Sequence, residues 1–457
     1  MTTEEISDMP EFGGMSCFRM FALLLTVSLG LARSAEPDWP KVEQHATELL
    51  QRYIRIPSVN PPADTSQTAK LLESELASVG IEAKLYQSAP GGKTNLIARL
   101  PGKDRSKRPL LLLNHMDVVP VDASRWKMNP FGAEIQNGEL WGRGSLDMKS
   151  TGIMELTALV LLKQLGIVPA RDIVFMATCD EETGGVEGAA WMIAHHWDEL
   201  NPEYVLDEGG VGSRDVYSPG KLIFGISVAD KQVLWLRLRA NGTSGHGSQP
   251  IPDNANDLLI RAIEKAKEFP PSEKPNPLVQ TMRETAGTFA SNKFINAIQQ
   301  NTISLTSLRS GIGNPPKANV IPSLAEATLD CRLLPGQNAD EFISEIKARI
   351  NDPRIQVEMI SPKPDDPQPS STDTALFRGI KQAIQKQHPD AAVMPIVVPF
   401  GTDGAKFRMR KVAAYGIMPM IIDAQTLATM HSDSEHIPVE QFRQGLHIYF
   451  DILRTLE

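Results

Sequence analysis

Residues 171–185 read RDIVFMATCDEETGG, a short apolar run followed by three consecutive acids. The run from Ile173 to Ala177 carries no polar side chain, which is typical of a strand buried on both faces of a sheet. Asp180, Glu181 and Glu182 follow within three residues of its end. Carboxylates crowded beside a buried strand repel one another and resist ionising together. Their clustering therefore indicates a site in which something offsets the repulsion.

Strands and helices alternate on both sides of this stretch. RPLLLLNHMDVVP (108–120) and EYVLDEGG (203–210) are further apolar runs of strand length that end in polar residues. TGIMELTALVLLKQLG (151–166) has the length and the apolar face of a helix. Short apolar strands that alternate with helices predict an α/β fold with a mainly parallel sheet flanked by helices.

The pattern changes near Asp230. In QVLWLRLRANG (232–242) apolar and polar residues alternate, which predicts a half-buried antiparallel strand. A helix, two strands, a helix and a strand follow, and this β-α-β-β-α-β order predicts a small α+β, ferredoxin-like domain. We therefore predict that residues 230–361 are inserted into a catalytic domain formed by residues 36–229 and 362–457.

The N-terminal residues differ from the rest of the chain. In FRMFALLLTVSLGLARSAEPDWP (18–40) an apolar run from Phe21 to Ala32 follows Arg19. The run is too short to span a bilayer but suits a signal peptide. We predict that residues 1–35 are a leader, that the protein is exported (periplasmic or secreted), and that the mature chain has no stable membrane span. An uncleaved anchor or an apolar N-terminal helix is the alternative, with a cytoplasmic location if the leader is not a signal.

Composition limits the classes of function. The chain has 457 residues, a formal net charge of −9 and three cysteines. It has no basic stripe, which argues against nucleic acid as a partner. Because Cys17, Cys179 and Cys331 are far apart, the sequence implies neither a cysteine zinc site nor a disulfide framework.

Polar residues follow several predicted strands. The carboxyl ends of parallel strands meet at one edge of a sheet, where α/β proteins bind their ligands. A divalent cation relieves the repulsion of carboxylates gathered there, and mixed nitrogen and oxygen ligation suits zinc, with manganese or cobalt as alternatives. Two imidazoles and three carboxylates form the candidate set: His115, Asp147, Glu182, Glu208 and His431.

Each of these residues also has a purely structural interpretation. His115 could be a hydrogen-bonded polar residue at a strand end, Asp147 a helix N-cap, and Glu208 a loop acid. Glu435, four residues after His431, could be a solvated surface acid. The combination of such residues at the strand ends of one parallel sheet favours a metal site.

Eight motifs in order carry a family resemblance over residues 40–457. They resemble the aminoacylase, carboxypeptidase G, carboxypeptidase S and succinyl-diaminopimelate desuccinylase family of di-zinc metallopeptidases, and are most similar to its aminoacylase and carboxypeptidase S branch. The resemblance implies a zinc-exopeptidase-like fold with an inserted lid or dimerisation domain, and hence a possible homodimer. The motifs are HMDVVP (115–120), GRGSLDMKS (142–150), DEETGG (180–185), LDEGG (206–210), SGHGSQP (244–250), NVIP (319–322), DCRLLPG (330–336) and HSDSE (431–435).

The resemblance also implies roles at the metal site. Asp147 would bridge two metal ions and be followed by a cis peptide bond to Met148, and Glu181 would be the general base. Asp117 would accept the second ring N–H of the ligand His115 and fix its tautomer. The other implied ligands are Glu182, Glu208 and His431.

Two of these assignments have a neighbouring alternative. Asp207 stands beside Glu208, and some relatives use an aspartate as the ligand. His436 could be mistaken for His431, although the family spacing of His followed four residues later by Glu favours His431.

Substrate binding is implied for the inserted domain and for one late loop. His246 resembles the histidine that polarises the scissile carbonyl, often from the partner subunit of a dimer. Asn319 and Arg332 resemble a clamp for the substrate carboxylate, since Arg fits a carboxylate bidentately. The backbone N–H groups of Gly401, Thr402 and Asp403 resemble a loop that helps to bind the same carboxylate.

The resemblance implies hydrolysis of an amide bond by metal-activated water. The substrate would be an N-acyl amino acid or the C-terminal residue of a small peptide. A di-zinc aminopeptidase is one alternative, although it would need an acidic pocket for a free amine. A catalytically inactive binding relative is the second alternative, but no predicted ligand is missing from the chain.

Overall fold

The structure is a computed structural model that describes residues 36–268, 276–364 and 367–456. The predicted leader, residues 1–35, lies outside the described residues, and the prediction of export rests on that segment. Within the described ranges, no helix combines the length and the apolar character needed to cross a membrane.

The described residues contain two main sheets and two small ones. The strands are β1 Ala83–Ala89, β2 Lys93–Leu100, β3 Leu110–His115, β4 Glu134–Gln136, β5 Glu139–Trp141, β6 Ile173–Thr178, β7 Tyr204–Ser213, β8 Ile223–Asp230, β9 Gln232–Asn241, β10 Gly245–His246, β11 Thr302–Ser310, β12 Val320–Ile321, β13 Leu324–Leu333, β14 Ile355–Met359, β15 Ala392–Val398, β16 Ala413–Ile421 and β17 His436–Pro438.

Helices connect most of these strands. They are α1 Trp39–Ile54, α2 Ser66–Ser78, α3 Ser150–Gln164, α4 Ala189–His195, α5 Trp197–Leu200, α6 Ala255–Lys267, α7 Pro277–Ala286, α8 Lys293–Ile298, α9 Ala339–Ile350, α10 Ala375–Gln387, α11 Gly404–Arg408, α12 Ala424–Leu427 and α13 Val439–Thr455.

The larger sheet has eight strands in the order β1-β2-β6-β3-β7-β16-β8-β15. Its central strands β6, β3, β7 and β16 are parallel, whereas β1, β2 and β8 make antiparallel pairs. Residues of β3 alternate between two apolar clusters, with Leu110 and Leu112 in one and Leu111 and Leu113 in the other. Both faces of the strand are therefore buried, which explains its unbroken apolar run. The predicted mixed, mainly parallel sheet is confirmed.

The smaller sheet has four antiparallel strands in the order β11-β13-β9-β14. Alternate residues of β9 (Leu234, Leu236 and Leu238) are buried in a separate apolar cluster with α6 and α9. Trp235, between them, is 44% exposed, as the period of two requires. The β-α-β-β-α-β order is the predicted one, while the boundaries at 230 and 361 remain predictions.

One segment of the predicted insertion packs elsewhere. Helices α7 and α8 contribute Val279, Met282, Ile295 and Ile298 to the core of the larger sheet. Asn276 caps α7 by accepting hydrogen bonds from the backbone N–H groups at its start. Neither helix was predicted from the sequence; both are short, with ten residues in α7 and six in α8.

Lys231 lies where the chain passes from β8 to β9. Its side chain is buried, and its ammonium donates hydrogen bonds to the carbonyl oxygens of Ala297 (2.9 Å) and Gln300 (2.8 Å) and to the hydroxyl of Thr302 (3.0 Å). Three donors thus meet three acceptors. The Lys231 side chain therefore links the connection between β8 and β9 to the end of α8 and the start of β11.

We expect Lys231→Met to lower the free energy of unfolding by about 1–3 kcal/mol, because it leaves buried acceptors unpaired. Urea denaturation followed by circular dichroism measures the change. The control is Lys381→Met, at an exposed position of α10, which should change stability by less than about 0.5 kcal/mol. Equal losses in the two variants would contradict the role given to Lys231.

Candidate metal centre

The strand order brings the predicted site residues together. Strands β6, β3 and β7 are neighbours: Glu182 follows the end of β6, His115 is the last residue of β3, and Glu208 lies within β7. Asp147 lies in the turn that leads into α3, and His431 lies in the loop between α12 and β17. The five predicted metal ligands therefore meet at one edge of the sheet.

Asp147 lies between the two histidines. Its Oδ1 is 3.0 Å from Nε2 of His115, and its Oδ2 is 3.0 Å from Nε2 of His431. Glu208 Oε1 lies 3.6 Å from the same nitrogen of His115, and Glu182 Oε2 lies 3.4 Å from that of His431. The arrangement is two histidine–glutamate pairs that share one aspartate.

The donor set fits divalent cations. Oε1 of Glu182 is buried and has no hydrogen-bond partner among the described residues, so it is free to bind a ligand. Burial, followed by the neighbouring Asp147 carboxylate, raises the pKa of Glu208 to about 8. Hydrogen bonds to Asp147 and then Glu182 raise the pKa of His431 to about 10. Both shifts reflect a surplus of carboxylates that positive charge would relieve.

Glu181 lies beside this group. Its carboxylate belongs, with donor atoms of His115 and Glu208, to a cluster whose atoms are all within 4.8 Å of one another. Burial raises the pKa of Glu181 well above its ordinary value, against the opposing effect of His115. A carboxyl group with a raised pKa next to such a centre has the character of a proton acceptor and donor.

Glu435 holds the turn that carries Asp147. Its side chain is fully buried and accepts hydrogen bonds from the backbone N–H groups of Gly144 (3.1 Å), Leu146 (2.8 Å) and Asp147 (3.1 Å). The guanidinium of Arg143 donates to the same carboxylate at 2.5 Å. The interpretation of Glu435 as a solvated surface acid is therefore wrong. The predicted cis peptide bond between Asp147 and Met148 is present.

Asp117 acts differently from the prediction. Nδ1 of His115 lies 2.9 Å from the backbone carbonyl oxygen of Asp117 but 3.6 Å from its carboxylate, which is too far for a hydrogen bond. The Asp117 carboxylate instead accepts hydrogen bonds from the backbone N–H groups of Glu181 (3.2 Å) and Glu182 (3.1 Å) and from the side chain of Asn60 (2.7 Å). It thus fixes the two glutamates rather than the histidine ring.

The structure gives Asp180 a structural role. Its carboxylate accepts hydrogen bonds from Lys93 Nζ (2.7 Å), the Thr183 hydroxyl (2.8 Å) and the Glu187 backbone N–H (3.0 Å). Its φ of 78° turns the chain sharply after β6. Asn60, which also approaches this turn, was missed because an asparagine 120 positions earlier in the chain carries no local signal.

The alternative ligands have other partners. Asp207 Oδ2 accepts a hydrogen bond from the backbone N–H of Gly404 at 2.7 Å, whereas Glu208 faces His115. The ring of His436 stacks on Trp141 with centroids 4.3 Å apart. Neither residue joins the five-residue cluster.

The predicted substrate-binding residues of the smaller sheets make contacts among themselves and with their neighbours. His246 pairs with Val320 across a two-stranded ladder, and the Gly247 backbone N–H donates to the carbonyl of Asn319. Arg332 forms a bidentate pair with Asp330 on its own strand (2.8 and 3.1 Å). Among the described residues, no hydrogen bond or ion pair links His246, Asn319 or Arg332 to the metal cluster.

The loop at 401–403, which was predicted to bind the substrate carboxylate, makes several hydrogen bonds within the protein. The backbone N–H and the hydroxyl of Thr402 both donate to Asp230 (2.9 and 3.2 Å). Asp403 accepts from the Thr178 hydroxyl at 3.1 Å and pairs with Lys406 at 2.8 Å. The backbone N–H of Thr402 is thus occupied by a protein carboxylate, which leaves the N–H groups of Gly401 and Asp403 for a substrate role in this loop.

We expect Glu435→Ala to lower the free energy of unfolding by about 3–5 kcal/mol, since it leaves the buried Arg143 unpaired. Bound metal should also fall, because the Asp147 turn loses its anchor. Chemical denaturation and elemental analysis measure the two effects. The control is Glu440→Ala, an exposed position five residues on. A stability loss no larger than that of the control would contradict the anchoring role.

Comparison with known proteins places the chain in a family. Residues 111–455 match peptidase family M20/M25/M40. The chain is 28% identical over 397 residues to the probable carboxypeptidase S-like 2 of Dictyostelium discoideum, covering 79% of this chain and 74% of that protein. It is 27% identical over 446 residues to the N-fatty-acyl-amino acid synthase/hydrolase PM20D1 of Mus musculus, covering 90% and 87%.

A solved structure shares the fold. Human carnosine dipeptidase 1 superposes with a TM-score of 0.68 at 17% sequence identity, over 92% of this chain and 98% of that one. The match of the family to most of the chain, together with the fold, establishes the class of protein. The chain belongs to peptidase family M20/M25/M40 and is a hydrolase of the metallopeptidase and amidohydrolase type.

Proposed function

We propose that this protein hydrolyses the amide bond of N-acyl amino acids, or releases the C-terminal residue of small peptides, with two divalent metal ions. One observation carries the proposal: Asp147 presents its two carboxylate oxygens to two different histidines, each of which has its own glutamate. Such a set suits two cations that share one ligand. The proposed ligands are His115, Asp147, Glu182, Glu208 and His431, and the proposed metal is zinc, with cobalt or manganese as substitutes.

The residues around the proposed metal sites have separate roles in the reaction. When bound, the cations supply Lewis acidity that polarises the scissile carbonyl and makes a water molecule acidic at neutral pH. Glu181 accepts the proton of the attacking water and passes it to the leaving amine. Asp117 holds Glu181 and Glu182 through their backbone N–H groups, so that base and ligand keep a fixed separation. Glu435 fixes Asp147 in the same way.

We assign substrate recognition to the carboxylate of the amino-acid half. Arg332 is the proposed carboxylate-binding residue, with Asn319 and the backbone of Gly401, and it would exchange its present partner Asp330 for the substrate. His246 is proposed to donate to the carbonyl oxygen in the transition state. Among the described residues, no hydrogen bond or ion pair links His246 or Arg332 to the proposed ligands, which supports closure of the smaller sheet over the site or supply by a partner subunit of a homodimer.

The names of the relatives support this substrate class. They describe a carboxypeptidase, a hydrolase of N-acyl amino acids and a dipeptidase. A di-zinc aminopeptidase would require an acidic pocket for a free amine, whereas the proposed clamp is cationic at Arg332. We also propose that residues 1–35 direct export, which sequencing of the mature N-terminus tests.

We expect Glu181→Gln to reduce kcat by at least about 10²-fold while two metal ions per chain remain bound, because a general base is lost but no ligand. The neighbouring Glu182→Gln should instead lower metal content together with activity. Steady-state kinetics and elemental analysis on the same preparations distinguish the two. Loss of metal from Glu181→Gln would make Glu181 a ligand and contradict its role as base.

The reaction class is tested with blocked substrates. We expect the zinc-loaded enzyme to hydrolyse an N-acyl amino acid but not its C-terminal amide, because the amide lacks the carboxylate that Arg332 binds. Chelation should abolish hydrolysis, and added zinc should restore it. Liquid chromatography of the released amino acid measures all of these reactions. A preference for peptides with a free N-terminus and a blocked C-terminus would instead identify an aminopeptidase.

A further inference from the structure

The turn at residues 180–185 carries the proposed general base Glu181 and ends at Gly185. Gly185 has a φ of 66°, a left-handed conformation that favours glycine. Its surroundings also exclude a side chain, because a Cβ atom there would lie 2.4 Å from Oδ1 of Asp403 and 2.8 Å from Nζ of Lys406. Gly185 therefore lets the turn pack directly on these two side chains.

Asp403 and Lys406 form an ion pair at the start of α11. Lys406 Nζ lies 2.8 Å from Oδ1 of Asp403, and the two side chains are only 26% and 3% exposed, so water and salt screen the pair weakly. The other carboxylate oxygen of Asp403 accepts a hydrogen bond from the Thr178 hydroxyl at 3.1 Å. Thr178 is the last residue of β6, which leads into the turn. The ion pair thus contacts the chain just before the turn, at Thr178, and at its end, at Gly185.

The charge of Lys406 faces acids of the site that are not proposed metal ligands. Burial of the Lys406 ammonium acts to lower its pKa. The net shift of that pKa is upward, because three nearby carboxylates outweigh burial, those of Asp403, Glu181 and Asp207. Between the members of the ion pair, the backbone N–H of Gly404 donates to Asp207 at 2.7 Å, which fixes the start of α11 against β7. Lys406 is therefore a charged side chain held on a fixed element beside the base.

We propose that Lys406 is a positioning residue of the enzyme, which acts with Asp403 to hold the turn that carries Glu181 and so sets where the base lies. The inference rests on the proposed function, in which Glu181 moves the proton. In this role Lys406 binds neither metal nor substrate. Its loss should therefore slow the chemical step while metal content and substrate affinity are kept. Misplacing a catalytic group by about 1 Å can lower the rate by about 10²-fold.

The first test removes the charge of Lys406 and keeps most of its length. We expect Lys406→Met to lower kcat of the zinc-loaded enzyme at least about tenfold, with KM within about threefold of wild type and two metal ions per chain retained. Lys406→Arg keeps the charge and should hold kcat within about threefold of wild type. The control is Lys381→Met, at an exposed position of α10, which should leave kcat within about twofold. Steady-state kinetics with an N-acyl amino acid and elemental analysis measure these effects.

The second test uses the two adjacent glycines of the turn as a matched pair. Gly184 and Gly185 both have positive φ, 104° and 66°, so alanine strains the backbone at either position. A Cβ at Gly184 meets no atom within 4 Å, whereas one at Gly185 displaces the ion pair. Gly185→Ala should therefore lower kcat at least about fivefold more than Gly184→Ala does. In the double variant with Lys406→Met the loss should be smaller than the product of the single losses, because both changes remove one contact.

The outcomes separate the positioning role from the proposed function. An unchanged kcat in Lys406→Met, or losses that multiply in the double variant, would overturn the positioning role and leave the proposed function standing. A raised KM with unchanged kcat would make Lys406 a substrate-binding residue, and lost metal would make it a residue of metal retention; either result overturns the inference. If Lys406→Met does not fold, the comparison of the two glycine variants decides. Failure of the wild-type enzyme to hydrolyse any N-acyl amino acid or small peptide would overturn the proposed function, and the role of Lys406 with it.

Discussion

Four carboxylates, those of Asp147, Glu181, Glu182 and Glu208, lie in one largely buried space beside two histidine rings. In an apolar environment such a group cannot ionise completely without compensating positive charge. The raised pKa values of Glu208 and His431 are two expressions of this constraint. Cations held by the proposed ligands would satisfy it, and most other polar contacts at this edge of the sheet keep these side chains in place.

Buried acids outside the cluster make many of the contacts that hold the cluster side chains in place. Glu435 binds the backbone of the Asp147 turn, and Asp117 binds the backbone of Glu181 and Glu182. Asp207 and Asp230 bind the loop at 402–404. Hydrogen bonds from backbone N–H groups to ionised carboxylates are strong and directional, so they fix loops that carry chemistry. A loop acid beside a metal site is thus often a backbone anchor, and its role cannot be inferred from its charge alone.

The sequence predicted that the proposed ligands would lie close together because local rules apply to most of them. An apolar run of strand length followed by His or an acid marks a strand end, and parallel strand ends share one edge of a sheet. The same rules fail where a contact links distant segments. Asn60 belongs to no motif, the motif that contains Glu435 does not reveal that its side chain binds the backbone of the Asp147 turn, and helices α7 and α8 were not predicted. The partner of the His115 ring was predicted as a carboxylate, but a backbone carbonyl two residues away makes the shorter contact.

Two levels of information thus contribute to this site. The sequence alone determined the class of fold, the strands that end at the site and the five residues with metal-binding chemistry, because each of these depends on residue type and on short-range spacing. Only the tertiary structure decided that Asp147 lies between His115 and His431, and that Glu208 and not Asp207 faces His115. These features arise where loops from remote parts of the chain pack against one another. Their geometry therefore depends on contacts between segments far apart in sequence, which no local pattern encodes.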